Sequence, residues 1–235
     1  MPGSESGVMF GSEAAGRVSS NEVFVAGTSL LAAHAFGHEA ERLSQIEQVF
    51  VAALETGRID DAAIRLNDLE KEFPTTTNKD GNIVFASLRV AKLQGMLLEA
   101  KAEFDKALAL YEKALAQDET YAPIIKRKVA VLIDQGKSNV AITTLVHYLD
   151  HFHADLEAWT TLSNLYLRAN MFQQAAFALE ECMILGGFNF LYHIRYAELN
   201  MTLGKYPVAL KYFCSAVEVT ERVGARCARG MDCVK

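Results

Sequence analysis

Apolar residues recur at helical spacing along most of the chain, and short polar turns interrupt them at regular distances. Residues 158–179, AWTTLSNLYLRANMFQQAAFAL, show the pattern most clearly. Apolar positions three and four residues apart on either side of Ala169-Asn170-Met171 predict two amphipathic helices joined by a tight turn. Trp159, Leu162 and Tyr166 form the large apolar face of the first helix, so we interpret the single tryptophan as a core residue.

The same pattern returns in units of 34 residues, without insertion or deletion, through four units. One register position holds a small residue at Ala107, Ala141, Ala175 and Ala209. Four residues later comes a large side chain, at Tyr111, Leu145, Leu179 and Phe213. The preceding helix contributes a further aligned position at Gly95, Val129, Ser163 and Ala197.

A period of 34 residues of helix, turn and helix is the signature of tetratricopeptide repeats. One helical hairpin cannot bury its apolar face alone, whereas a stack of hairpins buries it continuously. Where two helices cross closely only a small side chain fits, which explains the aligned alanines. The sequence therefore predicts an all-α fold, a tetratricopeptide-repeat superhelical solenoid of helix-turn-helix hairpins.

An earlier unit has Gly57 in its turn, Ala62 after it and Pro74 at its end. Ala62 lies 45 residues before Ala107, eleven more than one period. The extra residues fall in TTTNKDGNIVF, which predicts a longer connection or an extended first helix in the next unit. A helical segment from Gly27 to Glu41 is expected to pack as an N-terminal cap.

These patterns divide the chain into three parts. Residues 1–22 are predicted to be disordered, 23–220 to form the solenoid, and 221–235 to begin a further helix that remains incomplete. The predicted units within the solenoid are 43–76, 88–121, 122–155, 156–189 and 190–220.

Composition narrows the class of protein. The net charge of −6 gives no reason to expect nucleic acid or an anionic membrane surface as partner. No apolar run reaches the roughly 18 residues of a membrane span. The four cysteines form no CxxC pair, which favours thiols in a reducing compartment. We therefore expect a soluble protein of the cytosol or nucleus.

Residues with catalytic or metal-binding chemistry are sparse. His147 and His151 lie four residues apart with His153 beyond, a spacing that can ligate zinc. No carboxylate base accompanies them, and the segment is typical of an ordinary hairpin end. No phosphate-binding loop, nucleophile elbow or HExxH motif occurs. We predict no enzyme activity, no cofactor, no metal and no small-molecule substrate.

Basic residues fall on the predicted first helices of adjacent units, which line the concave face in this architecture. The run Lys126-Arg127-Lys128 is shorter than an import signal or a nucleic-acid patch, and a strip that meets an acidic partner is an equal alternative. A clamp for a C-terminal carboxylate is not supported, because Ala130 interrupts the set of lysines and asparagines it needs. The candidate partner-binding residues are Arg89, Lys92, Lys126, Asn164 and Arg168.

Several units go beyond general repeat consensus, notably KRKVAVLIDQGKSNVAI, LEAWTTLSNLYLRANMFQQAAFALEE and YAELNMTLGKYPVALKYFCSAVEV. From about residue 24 to 220 the chain resembles the ER membrane protein complex subunit 2 family of tetratricopeptide-repeat proteins. It departs from that family in its N-terminal segment and in stopping where the family continues for more helices.

The resemblance implies a non-catalytic scaffold at the cytoplasmic face of the endoplasmic reticulum membrane. Its partners would be the other subunits of the complex, both soluble ones and the cytosolic parts of membrane-embedded ones, and it would attach to the membrane through them. The complex inserts tail-anchored and weakly hydrophobic transmembrane segments. The alternative from the residues alone is a soluble adaptor or co-chaperone that binds peptide segments in its concave groove.

Overall fold

The computed structural model describes residues 19–33, 38–77, 83–186 and 189–228. These residues group into two compact units, which divide between Gln135 and Gly136. The helices of the first unit are α1 (Ser20–Ala32), α2 (Glu39–Glu55), α3 (Ile59–Glu72), α4 (Leu88–Ala100), α5 (Phe104–Leu115) and α6 (Ala122–Asp134). The second unit comprises α7 (Ser138–His151), α8 (Leu156–Arg168), α9 (Phe172–Leu185), α10 (Phe190–Thr202) and α11 (Tyr206–Ala228).

The 34-residue period is present in the backbone itself. Four turn residues at this spacing, Ala102, Gly136, Asn170 and Gly204, all adopt left-handed φ values between +58° and +73°. Gly57 does the same in the earlier unit, with φ +75°. A left-handed residue lets a helix end and the chain reverse within three residues, which is why glycine and asparagine prevail there.

The first unit has two apolar clusters. One joins α1, α2, α3 and α4 around the fully buried Val49 and Phe50. Helix α1 approaches α2 so closely that a Cβ on Gly27 would lie 2.3 Å from Cγ2 of Val49. The other cluster gathers α4, α5 and α6 around Tyr111 and Ile124. Helix α1 thus covers α2, as expected of an N-terminal cap.

Tyr111 lies directly over Gly95, where α4 and α5 cross. A Cβ built on Gly95 would lie 2.1 Å from Cε1 of the tyrosine ring. Ala107 and Tyr111 have no exposed surface. A small residue in one helix and a ring in the other are therefore required together.

The second unit repeats this arrangement with different side chains. Ala141, Ala175 and Ala197 have no exposed surface, and Leu145 and Leu179 are buried beside them. Two polar residues also lie in this interior: Ser163, and Asn200, whose Nδ2 donates to the carbonyl oxygen of Tyr196 at 2.9 Å. Trp159 is buried, so its interpretation as a core residue agrees with its position.

The eleven extra residues form a connection and not an extended helix, because α4 begins only at Leu88. Two-residue strands β1 (Thr76–Thr77) and β2 (Ile83–Val84) pair antiparallel, with Thr76 opposite Val84. The backbone N–H of Phe85 then donates to Oε1 of Gln117 at 3.0 Å, which ties the connection to the end of α5.

Both ends of the described chain correct the sequence interpretation. Residues 20–22, assigned to the disordered segment, form the first turn of α1, because Ser19 and Glu22 make a reciprocal capping box. Residues 1–18 lie outside the described part. The segment Gly27 to Glu41 is not one helix, since α1 ends at Ala32 and α2 begins at Glu39. Residues 221–228 continue α11 and do not start a new helix, because no proline or turn residue interrupts residues 217–223.

The prediction of an all-α tetratricopeptide fold is confirmed, and the two-residue strands do not change its class. The predicted limits of the individual units stay predictions. Among the described residues, no helix is long and apolar enough to cross a membrane.

We expect Gly95→Ala to destabilise the first unit by about 1 to 3 kcal/mol, because the new methyl group overpacks the Tyr111 ring. Gly57→Ala is the comparison, since it strains the backbone without meeting any side chain. Thermal and urea unfolding measure both. Equal or smaller destabilisation by Gly95→Ala would contradict the packing argument.

We expect Ala102→Gly to stabilise the protein by about 0.5 to 1 kcal/mol, because alanine holds a left-handed conformation there at φ +59°. Asn170→Gly should change stability less, since asparagine tolerates this conformation. Urea unfolding tests the pair, and a destabilised Ala102→Gly variant would refute the expectation.

Candidate partner-binding surfaces

Two predicted residues, Arg89 and Lys92, meet on one carboxylate in the first unit. Arg89 Nε lies 2.6 Å from Glu47 Oε2, and Lys92 Nζ lies 3.7 Å from Glu47 Oε1. The basic pair is one turn apart on α4, and Glu47 comes from α2. Arg89 remains 65% exposed while Glu47 is only 16% exposed. The carboxylate therefore positions a guanidinium that still faces solvent.

This cluster borders a groove of about 500 Å³ between α1, α2 and α4. Val23 and Val51 supply apolar lining, and Ser20 and Glu55 supply polar groups. An adjoining cavity of about 280 Å³ is lined by Leu43, Phe73 and Leu93 among others. Glu47 and Arg89 line both spaces, so they stand where charged and apolar surfaces meet.

The run Lys126-Arg127-Lys128 does not form a continuous basic strip. Arg127 points into the first unit and pairs with Glu99 of α4, while Lys128 Nζ lies 3.2 Å from Glu112 Oε1. Two of the three charges thus have acidic partners within their own unit. Lys126 is half-buried on α6.

Glu99 is the centre of a network that joins three helices. It accepts a hydrogen bond from the hydroxyl of Tyr111 on α5 and an ion pair from Arg127 on α6. Burial, and then the neighbouring carboxylate, raise the pKa of Tyr111 far above its usual range. The hydroxyl therefore stays protonated and continues to donate at any ordinary pH.

Asn164 and Arg168 are exposed on α8, four residues apart and so on one helix face. The five predicted residues consequently fall into two sets, three in the first unit and two in the second. The structure brings Arg89 and Lys92 together on Glu47 and places Asn164 and Arg168 on one face. Their part in partner binding stays a prediction.

A second groove, of about 500 Å³, lies in the second unit between α7, α8 and α9. Its apolar lining includes Val146, Trp159 and Phe177, and Asp150 and Gln173 lie at its polar parts. The Trp159 and Phe177 rings meet edge to face with centroids 5.9 Å apart. Trp159 Nε1 donates to the carbonyl oxygen of His153 at 2.8 Å, which holds the indole in place.

Phe177 is the functional candidate that sequence reasoning missed. It is 55% exposed although it is a large aromatic residue. The positions one or two periods away hold Ala109, Thr143 and Lys211, all exposed and none large and apolar. Aligning the units on their solvent-facing positions, as well as on their core, would have revealed it.

The histidines of α7 do not assemble a metal centre. The rings of His147 and His151 have centroids 5.3 Å apart, and His147 Nδ1 lies 3.9 Å from Asp150 Oδ2. Within the described ranges, no three His, Cys, Asp or Glu side chains are grouped so as to hold a metal ion.

Stacked helical hairpins with an exposed ion-paired arginine and apolar grooves define a tetratricopeptide-repeat protein with surfaces suited to binding other proteins. The family model described as the EMC2 TPR-like repeat domain matches residues 83–212. The chain belongs to this family, that of ER membrane protein complex subunit 2.

Curated relatives support the assignment. ER membrane protein complex subunit 2-A of Xenopus laevis is 36% identical over 176 residues, 74% of this chain and 56% of the relative. The TPR repeat protein oca3 of Schizosaccharomyces pombe is 35% identical over 180 residues, 74% of this chain and 60% of that protein. The chain thus spans somewhat over half the length of these relatives.

Solved structures show the fold alone. A crystal structure of MamA superposes with a TM-score of 0.57 at 16% identity, over 75% of this chain and 97% of that one. MamA from Desulfovibrio magneticus RS-1, residues 41 to the end, gives 0.55 at 17% identity, over 77% and 96%.

We expect Phe177→Ala to shift the fluorescence of Trp159, the only tryptophan, to longer wavelength, because it uncovers the indole edge. Stability should fall by no more than about 1 kcal/mol, since Phe177 is largely exposed. Ile184→Ala on the same helix is the control and should leave the emission unchanged. An unshifted spectrum for Phe177→Ala would show that the ring contact does not shield the indole in solution.

Proposed function

We propose that this chain is a non-catalytic scaffold subunit of the ER membrane protein complex, held peripherally at the cytoplasmic face of the endoplasmic reticulum membrane. It binds the soluble subunits and the cytosolic parts of membrane-embedded subunits. Through them it supports insertion of tail-anchored and weakly hydrophobic transmembrane segments. It contributes no catalytic group of its own to that process.

The observation that carries this proposal is membership of the subunit 2 family, whose model matches residues from both compact units. The relatives that the chain resembles are named as subunits of that complex. A scaffold needs binding surfaces and no reaction centre, and the described residues offer grooves lined by charged and apolar side chains.

The Arg89 cluster is suited to such a role. A surface that is already ordered before binding loses little side-chain entropy when it meets a partner. Glu47 holds the Arg89 guanidinium in one place and leaves two thirds of the side chain exposed. An acidic group of a partner subunit would meet a positioned cation with an apolar groove beside it.

The test is recovery of partners by a tagged chain from a mild-detergent extract, quantified by mass spectrometry. We expect multi-pass membrane proteins of the endoplasmic reticulum in constant ratio, and sedimentation of the chain with those membranes. Recovery of chaperones alone, with the chain free of membranes, would favour the soluble adaptor instead.

Substitutions assign the contacts. We expect Arg89→Ala/Lys92→Ala/Lys126→Ala, and separately Asn164→Ala/Arg168→Ala, to reduce recovery at least about fivefold each, a loss of roughly 1 kcal/mol. Lys71→Ala/Lys106→Ala/Lys113→Ala, on the second helices of their hairpins, is the charge-matched control. Thermal unfolding confirms that each variant folds. Unchanged recovery for both test sets would remove these residues from the binding surface without affecting the family assignment.

A further inference from the structure

The exposed face of α11 differs from the same face of every earlier second helix. Tyr206, Leu210 and Val217 are 65%, 66% and 58% exposed. They lie four and seven residues apart and so form one stripe along the helix. Large apolar residues in such a row are unusual on a surface that no partner covers.

The repeat register shows what this face does elsewhere. One period back from Leu210 is Ala176, and two and three periods back are Ile142 and Leu108, all buried or half-buried. The counterparts of Val217 are Met183, Leu149 and Leu115, again buried or half-buried. In each earlier case the next helix packs there: α6 on α5, α8 on α7 and α10 on α9. The stripe on α11 is thus a helix-packing face.

The charges beside the stripe indicate what can cover it. Lys211 and Glu218 lie seven residues apart on the same flank, both are exposed, and neither forms an ion pair with another described residue. A two-fold axis between antiparallel helices keeps like flanks together and reverses their direction. With the axis level with residues 214 and 215, Lys211 of each copy meets Glu218 of the other.

The apolar residues agree with the same axis. Leu210 of one helix then lies beside Val217 of the other, and the two Cys214 side chains, exposed on the stripe, meet close to the axis. A parallel arrangement would place the lysine and the glutamate against the opposite flank and leave the two charges unmatched. The face is therefore self-complementary in one orientation.

We propose that the α11 stripe, consisting of Tyr206, Leu210, Cys214 and Val217, binds a second copy of this chain in an antiparallel, two-fold symmetric pair. A closed two-fold contact uses one patch twice, as self-complementary homodimers do. One helix per copy buries less surface than a standard interface, so the dimer is expected to be weak and concentration-dependent. This proposal does not depend on the proposed function.

Sedimentation equilibrium of the full chain tests the pairing up to about 200 µM, which detects dissociation constants in the micromolar range. The mass should rise with concentration towards twice the monomer mass of 25.9 kDa. Leu210→Glu/Val217→Glu should keep the protein monomeric over this range. Ile184→Glu, an equally exposed aliphatic position on α9, should leave the dimer unchanged.

A charge-swap cycle tests the orientation. Lys211→Glu and Glu218→Lys should each weaken the dimer about tenfold, because each replaces two attractive pairs by two repulsive ones. The double variant should restore the original affinity. A short bismaleimide should join two copies through Cys214 in a Cys227→Ser/Cys233→Ser background, and Cys214→Ser should abolish the product.

Several results would overturn the proposal. They are a monomer at every concentration, a dimer that survives Leu210→Glu/Val217→Glu, a double charge swap that does not restore affinity, and a dimer without Cys214 cross-linking. A monomer whose Cys214 is protected from maleimide by another protein would assign the stripe to that partner, again against the pair proposed here. None of these outcomes changes the recovery of membrane-complex subunits, so the two proposals fail separately.

Discussion

The close crossing of paired helices is the constraint on which the structure depends. At such a crossing one helix must supply a side chain small enough for the other to pack against its backbone. Gly95 meets this requirement beneath Tyr111, and the aligned alanines meet it elsewhere. Because the small residue brings the helices together, the large residue four positions later is buried without a cavity. The period of the sequence is therefore a period of contacts.

Burial of Tyr111 also has an electrostatic consequence. Its hydroxyl cannot reach water and bonds to Glu99, and Glu99 in turn needs the charge of Arg127. A buried carboxylate without such a partner would cost several kcal/mol, at about 3 to 5. The packing of α4 against α5 thus decides that one residue of the basic run belongs to the fold and is not available to a partner.

The sequence predicted the parts of the structure that repeat. Equivalent core positions reinforce one another, so the hairpins and the family resemblance could be found from spacing alone. Glu47 could not be found in this way, because it meets Arg89 across 42 residues that include the irregular connection. Phe177 was missed for the opposite reason, since packing does not decide the residue at an exposed position. The continuation of α11 past residue 220 was missed because its stop was inferred from the repeat length and not from a local signal.

Partner binding and repetition place opposite demands on this chain. Stacking needs the same residue types in every unit, whereas recognition needs surfaces that differ between units. The two demands are separated by helix face: core positions keep their size, and solvent-facing positions vary from Ala109 to Phe177. The ends of a stack belong to neither case, because a packing face there lacks its neighbour. Helix α1 covers one such face with Phe24 and Gly27, and Arg58 lies 4.4 Å over the Phe24 ring. The stripe on α11 has the composition of a covered face, so association at that helix follows from the same packing requirement that builds each hairpin.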